Sequence, residues 1–309
     1  MNATPPGLPA DKARAIERAY LAELHGLSPR LDGAGRSLLE RIATPNWALE
    51  WALPYWLCEA FALPAQVAQA LGLGNVLMLG YERLADDVVD GEEGADSLHL
   101  AVALHHMWIA QYVRLGLSRD FWPAFDEYTT QFIRGTLGSH DGARLADEGE
   151  FMRLVPWRGA CLKICCAAAC VLASRTHDLP ALALAIDQIM TGVVLLDDEF
   201  DWADDLEAGR YNGFVAFCSP LPQSDEHRSH NRLAVQRVIY DGAAARQFFE
   251  GIRQRLREAA RTARAIGCAG LDAYLAWYDA EVGACGEYLA QEASGELRAF
   301  VAARSASGR

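Results

Sequence analysis

The sequence has 309 residues, of which 51% are hydrophobic and 22% charged, so it can bury a substantial core and is not a disordered chain. Its formal net charge of -13 argues against a nucleic acid or an anionic membrane as a partner held by charge alone. The N-terminus lacks the basic and then apolar pattern of a signal peptide. The eight cysteines have no regular spacing, which favours buried thiols over a disulfide framework. The longest apolar stretch, residues 160–173, is too short to span a bilayer, so we expect a cytoplasmic protein without stable membrane insertion.

Helical patterns follow one another along the whole chain and are separated by breaks rich in Gly, Pro and Asp. No repeat, low-complexity tract or linker divides the sequence, which predicts one all-α domain over residues 1–309. In chain order, the clearest predicted helices are residues 11–25, 47–71 (kinked or split at Pro54 and Pro64), 75–90, 97–115, 120–138, 157–176, 179–201 and two long helices between 231 and 291.

The first acidic cluster has the spacing D-D-x-x-D, formed by Asp86, Asp87 and Asp90. On a helix these side chains share one face, where three carboxylates repel each other unless a cation lies between them. Hard oxygen ligands in this arrangement suit Mg²⁺, which usually shares its coordination with substrate phosphates. A solvent-exposed helix end is the alternative interpretation of this cluster alone.

A second acidic cluster contains Asp197, Asp198, Asp201 and Asp205 and follows a mostly apolar helical run. Like charges at i and i+4 destabilise a helix, and they are also unfavourable near its C-terminus because of the helix dipole. Both apolar helices end in clustered like charges, which lowers the local stability of each helix. This shared departure from favourable helix chemistry indicates a functional site. The pair of clusters therefore predicts a site for divalent metal ions that bind an anionic diphosphate.

These motifs resemble those of the class I isoprenoid synthases. The first cluster is similar to the first metal motif of that superfamily. The second cluster resembles both the N-D-x-x-S-x-x-x-E motif of terpene cyclases and the second D-D-x-x-D motif of chain-elongating prenyltransferases. The residues that flank the clusters also resemble the motifs of squalene and phytoene synthases. They are Arg83 before the first cluster, and Gly209 and Arg210 after the second.

The resemblance implies an all-α helical bundle around a central cavity, with the two acidic helix ends facing each other across it. It implies three Mg²⁺ ions, with Mn²⁺ as an alternative, that help the diphosphate of a prenyl substrate to leave. Asp86, Asp87, Asp90, Asp197, Asp198, Asp201 and Asp205 are the implied metal ligands.

Basic residues are expected to bind the diphosphate. Arg158 occupies the position of the lysine in an element that resembles the K-T-A-x-L motif of prenyltransferases. Arg153 and Lys163 lie near the same predicted helix start and compete with it for this role. Arg210 and Tyr211, just after the second cluster, are further candidates, and a simple capping turn is the alternative for both.

The basic elements that hold a second diphosphate in elongating enzymes are poorly represented here. Gly33 to Arg36 is a weak version of the early element, and no arginine follows the first cluster in residues 91–96. The sequence therefore predicts a terpene cyclase that converts a single prenyl diphosphate. A chain-elongating or squalene/phytoene-like prenyltransferase and a non-catalytic regulatory subunit remain alternatives, and a homodimer is left open.

Two further expectations concern individual side chains. Tyr81 and Trp157 lie close to the motifs in the sequence and are candidates to stabilise a carbocation through their aromatic faces. Because neighbouring carboxylates repel each other, Asp87→Asn and Asp201→Asn are expected to leave stability unchanged or slightly raised while turnover falls by orders of magnitude.

Overall fold

The computed structural model describes residues 5–89, 97–140 and 148–307, and within these ranges the chain forms thirteen α-helices and no strand. The predicted all-α fold class is therefore confirmed. Asp90, the last aspartate of the first cluster, lies outside the described residues.

Helices α1 to α7 occupy the first half of the chain and α8 to α13 the second half. The first seven are α1 (Ala10–Leu27), α2 (Asp32–Ile42), α3 (Ala48–Ala60), α4 (Ala65–Val89), α5 (Ser97–Arg114), α6 (Trp122–His140) and α7 (Glu148–Leu154). The others are α8 (Leu162–Leu172), α9 (Leu179–Ala208), α10 (Gly213–Cys218), α11 (Arg228–Asp241), α12 (Ala243–Ala265) and α13 (Ala269–Ser307).

The predicted helix 47–71 is split at only one of its two prolines. Pro54 lies inside α3, whereas the chain turns before Pro64, at Ala62, which has a φ of 53°. Helix α4 then begins at Ala65, ten residues earlier than predicted, and continues through Gly72. A Cβ atom on Gly72 would lie 2.9 Å from the Tyr55 ring, so this glycine allows α3 and α4 to pack closely.

The segments that carry the second cluster and Arg158 also differ from the prediction. Arg158 lies in a 3₁₀ turn, Val155–Gly159, that precedes α8, instead of on a regular helix. Helix α9 continues past the predicted end at residue 201 to Ala208, and the next residue, Gly209, has a φ of 69°, the left-handed conformation that favours glycine. All four aspartates of the second cluster consequently lie on one helix.

Helix α8 connects the two halves of the fold because it contacts α3, α4 and α9. Its alanines and cysteines are almost fully buried, and such small side chains allow the neighbouring helices to approach closely. All eight cysteines are free thiols, and six of them are buried, as the sequence predicts.

One helix of the described chain, Thr176–Ala208, is long and apolar enough to cross a membrane by length and composition. Half of its most apolar window is buried inside the protein, where it contacts α8, α10, α11 and α12. This pattern is typical of a core helix, and its C-terminal end carries the second acidic cluster.

Candidate active site

The first acidic cluster begins at the C-terminal end of α4, where Asp87 is completely buried. Its Oδ2 atom accepts a hydrogen bond of 2.8 Å from Nη1 of Arg41 on α2, and its Oδ1 atom accepts one from Nη2 of Arg83. Arg83 also donates to Asp86 across 3.2 Å, and the Asp86 side chain is 39% exposed. Two guanidinium groups therefore offset the charge of Asp87, while Asp86 is the more accessible carboxylate of the pair.

Arg41 was not among the residues singled out from the sequence. It is distant from the cluster in the chain, and an arginine near the end of an amphipathic helix carries no local signal. Arg83 lies one turn before Asp87, and an ion pair at this spacing is readable from sequence.

The second cluster divides between the two sides of α9. Asp197 and Asp201 are exposed, whereas Asp198 is only 7% exposed and its Oδ2 atom accepts a hydrogen bond of 2.8 Å from the Gly213 backbone N–H. Burial raises the pKa of Asp198 to about 7, although the bond from Gly213 and the charge of Arg158 oppose this shift. Asp198 therefore joins α9 to α10, and Asp197 and Asp201 are the accessible carboxylates.

Asp205 is engaged by the turn that follows α9. Its Oδ1 atom accepts a hydrogen bond of 2.8 Å from Nε of Arg210, and its Oδ2 atom accepts one of 2.9 Å from Nδ2 of Asn212. Tyr211 packs on Phe151, with 4.8 Å between the ring centroids. The contacts of Asp205 and Arg210 thus organise the end of α9.

Asn212 was not predicted from the sequence, yet it is fully buried at the centre of this turn. It donates to the Asp198 carbonyl as well as to Asp205, and its Oδ1 atom accepts from the Val215 N–H at the start of α10. Asparagine is a favoured N-cap residue, so the cap of α10 could have been predicted from the sequence. Its contacts with α9 could not.

Arg158 lies close to the second cluster. Its side chain is exposed, and its charge lowers the pKa of both Asp197 and Asp198, which burial raises. The turn that carries Arg158 is fixed by close packing, because a Cβ atom on Gly135 of α6 would lie 2.7 Å from the Trp157 carbonyl carbon. This contact leaves little room for the turn to move away from α9.

Lys163 lies elsewhere in the fold. Its side chain is 2% exposed, its ammonium group forms an ion pair with Asp187, and it donates a hydrogen bond of 3.0 Å to Gln131. Asp187 precedes Asp197 on α9 by about three turns of helix. The side chain of Lys163 therefore contacts the middle of α9, away from its acidic end.

The aromatic candidates lie near both clusters. Tyr81 is half-buried and lies on α4 before the first cluster, with its ring 5.0 Å from that of His105. Trp157 is next to Arg158, and the guanidinium of Arg153 lies 6.0 Å from its ring.

Two buried groups near the acidic helices have raised pKa values. The pKa of Glu82 on α4 is raised by burial and also by the charges of Glu50 on α3 and Asp86. The pKa of Tyr278 on α13 is raised by burial and also by Asp197 and Glu50. Glu50 consequently lies within the electrostatic reach of residues beside both clusters.

The exposed carboxylates have the donor chemistry that a divalent cation requires. Asp201 raises the pKa of Asp197, so a cation between them would relieve a repulsion that the protein contains. The residues that fit Mg²⁺ on this ground are Asp197 and Asp201, whereas Asp86 on α4 is paired with Arg83. Within the described residues, no group of three or more His, Cys, Asp or Glu side chains is arranged closely enough to hold a metal ion by itself.

Comparisons with known proteins reveal similarity in structure. No protein-family model matches the sequence, and no curated protein matches it. A geranylgeranyl pyrophosphate synthetase from the archaeon Geoglobus acetivorans aligns with 89% of this chain and 99% of its own, at 14% identity and a TM-score of 0.64. A polyprenyl synthase from Roseobacter denitrificans aligns with 92% of this chain and 100% of its own, at 14% identity and a TM-score of 0.59.

Both neighbours are named as prenyl synthases, and at 14% identity they show similarity of fold. They agree with the superfamily resemblance that the acidic motifs carry, and their fold is all-α like that of this chain. The chain therefore has the class I isoprenoid synthase fold.

Proposed function

We propose that this protein is a metal-dependent enzyme that ionises a prenyl diphosphate between the ends of α4 and α9. The observation that carries the proposal is that accessible carboxylates lie toward the C-terminal ends of two helices, Asp86 on α4 and Asp197 and Asp201 on α9, in a chain with the class I isoprenoid synthase fold. Two acidic helix ends around one interior region are suited to a substrate whose anionic group is held by cations and whose apolar chain enters the protein.

Three exposed carboxylates would hold the metal ions in this proposal. Asp197 and Asp201 supply oxygen ligands from α9, and Asp86 supplies one from α4. Mg²⁺, when bound, stabilises the negative charge that develops on the leaving diphosphate. Asp90 remains a predicted ligand that lies outside the described residues.

The buried aspartates have supporting roles in this account. Asp87 fixes Arg41 and Arg83 beside the first cluster. Asp198 and Asp205 fix the turn after α9, through Gly213 for the first and through Arg210 and Asn212 for the second. These contacts hold the ends of α4 and α9 in place without using the accessible carboxylates.

Arg158 is the proposed diphosphate contact. Its exposed guanidinium lies near Asp197, and a guanidinium can donate two parallel hydrogen bonds to phosphate oxygens. Lys163 is occupied by Asp187 and Gln131 and is therefore left out of this proposed contact.

Chain elongation is the first candidate for the fate of the allylic cation. It is supported by the fold similarity to a geranylgeranyl pyrophosphate synthetase and a polyprenyl synthase along almost the whole chain. In this reaction the double bond of isopentenyl diphosphate attacks the cation, so a second diphosphate must bind near the first.

Cyclisation of a single prenyl chain is the second candidate, and two carboxyl groups of the interior favour it. Glu50 and Glu82 each have a buried carboxyl oxygen without a hydrogen-bond partner among the described residues, and they offer no positive charge to a second diphosphate. An apolar chain that becomes cationic during the reaction is compatible with this environment.

Product analysis distinguishes these candidates. The purified chain is incubated with Mg²⁺ and with ten-, fifteen-, twenty- and twenty-five-carbon prenyl diphosphates, with and without isopentenyl diphosphate. A longer prenyl diphosphate that forms only when isopentenyl diphosphate is present identifies elongation, whereas a hydrocarbon or alcohol from one substrate identifies cyclisation. Joined allylic chains identify the squalene-like alternative, and absence of conversion under every condition supports a non-catalytic subunit and contradicts the proposal.

A further inference from the structure

A cavity of about 350 Å³ lies between α7, α9, α10 and α12 and opens to the surface. Sites for small molecules typically have volumes of about 300–1,000 Å³, so this cavity can hold a small guest. Its lining, among the described residues, includes none of those proposed to bind metal ions or diphosphate. The apolar part of the lining consists of Phe151, Met152, Leu195, Phe217 and Phe248.

The cavity and the accessible carboxylates lie on different sides of α9. Leu195 lines the cavity, and at 3.6 residues per turn Asp197 and Asp201 lie about 160° and about 120° from it around the helix axis. Gly213, whose backbone N–H binds Asp198, also lines the cavity. A molecule in the cavity would therefore contact the start of α10 without reaching the proposed metal ligands.

Three phenylalanine rings make the cavity apolar. Phe151 and Phe248 are almost completely buried, whereas Phe217 is 40% exposed. The ring centroids of Phe217 and Phe248 lie 5.2 Å apart, so the exposed ring continues the buried apolar surface. An apolar molecule that binds here would remove the ring of Phe217 from water, which is favourable because of the hydrophobic effect.

Helix α12 places a glycine beside the cavity although packing does not require one. Gly251 lies inside α12, where glycine is less favourable than alanine, and a Cβ atom on it would meet nothing within 4 Å. Phe248, Gly251 and Arg255 recur at helical spacing and line the same cavity, so a larger side chain at residue 251 would extend into it. The effect of this glycine is to keep the cavity open.

The two charged residues of the cavity, Arg255 and Glu258, differ in their partners. Glu258 is paired with Arg261 across 3.6 Å and accepts a hydrogen bond of 3.4 Å from Gln254. Arg255 donates across 3.2 Å to the neutral side-chain amide of Gln188, and no carboxylate in the described parts of the chain lies within 4.0 Å of its guanidinium. The cavity therefore combines an apolar wall with a positive charge that no anionic side chain offsets.

We propose that this cavity is a binding site for a small apolar molecule that carries one carboxylate group. The apolar part of the molecule contacts the phenylalanine rings, and the guanidinium of Arg255 donates to the carboxylate, whose planar geometry it matches. Glu258 favours a singly charged head group over a doubly charged phosphate monoester because like charges repel. The site is independent of the proposed function, since it uses none of the proposed metal or diphosphate ligands.

The test uses three molecules that share a ten-carbon chain and differ in their head groups. Decanoate, decyl phosphate and decyltrimethylammonium are titrated into the unmodified full chain, and isothermal titration calorimetry measures the Kd and the stoichiometry. We expect one decanoate per chain, weaker binding of decyl phosphate, and binding of decyltrimethylammonium that is at least about 10-fold weaker than that of decanoate. This comparison needs no variant to fold.

Two pairs of variants on α12 locate the bound molecule. Arg255→Gln should weaken decanoate binding by about 10-fold, whereas Arg246→Gln, at an exposed position of the same helix outside the cavity, should leave it unchanged. Gly251→Leu should fill the cavity and abolish binding, whereas Gly251→Ala adds only a methyl group and should retain it. Melting temperatures show whether each variant is folded.

Several outcomes would overturn the proposal. Decanoate that does not bind the unmodified protein removes the site, and decyltrimethylammonium that binds as tightly as decanoate contradicts the role of Arg255. Tighter binding of decyl phosphate overturns the choice of a singly charged head group. Unchanged decanoate binding in a folded Gly251→Leu variant places the molecule elsewhere. If that variant does not fold, equal decanoate affinities of Arg255→Gln and Arg246→Gln overturn the proposal instead.

Discussion

Asp87 on α4 and Arg41 on α2 lie 46 residues apart in the chain and are joined by a hydrogen bond of 2.8 Å at a fully buried carboxylate. Arg83 bonds to the other oxygen of the same carboxylate. An aspartate of a metal-binding motif therefore has a structural role in this protein, and the accessible carboxylate beside it is Asp86.

The stability of the end of α4 should depend on Asp87. The sequence alone predicts that Asp87→Asn leaves stability unchanged or slightly raised, whereas the structure leads to the opposite expectation because the carboxylate bonds to two arginines. We expect a loss of about 2–3 kcal/mol in the free energy of unfolding, typical of buried hydrogen bonds to charged groups. Urea unfolding in metal-free buffer measures it, and an unchanged midpoint would show that these contacts contribute nothing.

The exposed aspartates should behave in the opposite way. Asp201→Asn removes a charge that raises the pKa of Asp197, so its metal-free stability should be unchanged or slightly higher. Turnover with saturating Mg²⁺ should fall by about 10²-fold or more, since each lost factor of ten corresponds to about 1.4 kcal/mol of transition-state stabilisation. Near-normal turnover in Asp201→Asn would exclude this residue from the metal site.

The helices and the acidic clusters could be predicted from local sequence, because helical periodicity and charge repulsion act between residues one turn apart. The proximity of Arg158 to Asp197 was implied only by the family resemblance. The contact of Arg41 with Asp87 and the interior position of Glu50 depend on how separate helices pack, which no local pattern encodes. The same packing explains why Asp198 is buried although Asp197, the adjacent residue, is exposed.

The position of Arg158 should depend on the absence of a side chain at Gly135. A Cβ atom there would lie 2.7 Å from the Trp157 carbonyl carbon and 2.8 Å from the Arg158 backbone nitrogen, so Gly135→Ala must displace the turn. We expect lower turnover and a loss of about 1–3 kcal/mol in stability, as for other overpacked sites. The control is Gly251→Ala on α12, where a Cβ atom meets nothing within 4 Å and stability should be equal or higher. Equal behaviour of the two variants in urea unfolding and turnover would contradict the packing argument.

Stability should decrease as the pH rises from about 4.5 to about 8. An acid whose pKa is raised by folding binds its proton more tightly in the folded state. As the pH rises, the acid therefore ionises first in the unfolded state, which lowers the free energy of unfolding over this range. Glu50→Gln should remove part of this decrease, on the order of 1–3 kcal/mol at pH 8, and should have little effect at pH 4. Urea unfolding at both pH values is the measurement, and equal destabilisation of Glu50→Gln at each pH would contradict it. The acids concerned, with pKa values raised to about 7 or about 8, are Glu50, Glu82, Asp198 and Glu199.

Arg158→Ala should weaken diphosphate binding without affecting the fold, because this side chain is exposed. The expected result is a lower kcat/KM by about 10²-fold with an unchanged melting temperature, and inorganic diphosphate should inhibit the variant less strongly than the unmodified protein. Lys163→Met is the contrasting variant, since it breaks a buried ion pair with Asp187 and should mainly lower stability. An Arg158→Ala variant with unchanged kinetics would remove this residue from the proposed site.

The release of inorganic diphosphate from farnesyl and geranylgeranyl diphosphate by the purified chain tests the central claim most directly. Release is measured with Mg²⁺, with Mn²⁺ and with EDTA, in the presence and absence of isopentenyl diphosphate, and Asp197→Asn is assayed in parallel. We predict release that requires Mg²⁺ or Mn²⁺, stops with EDTA and falls by at least about 10²-fold in Asp197→Asn. Release that continues at the same rate in EDTA or in Asp197→Asn, or no release from either substrate under any of these conditions, would contradict the account.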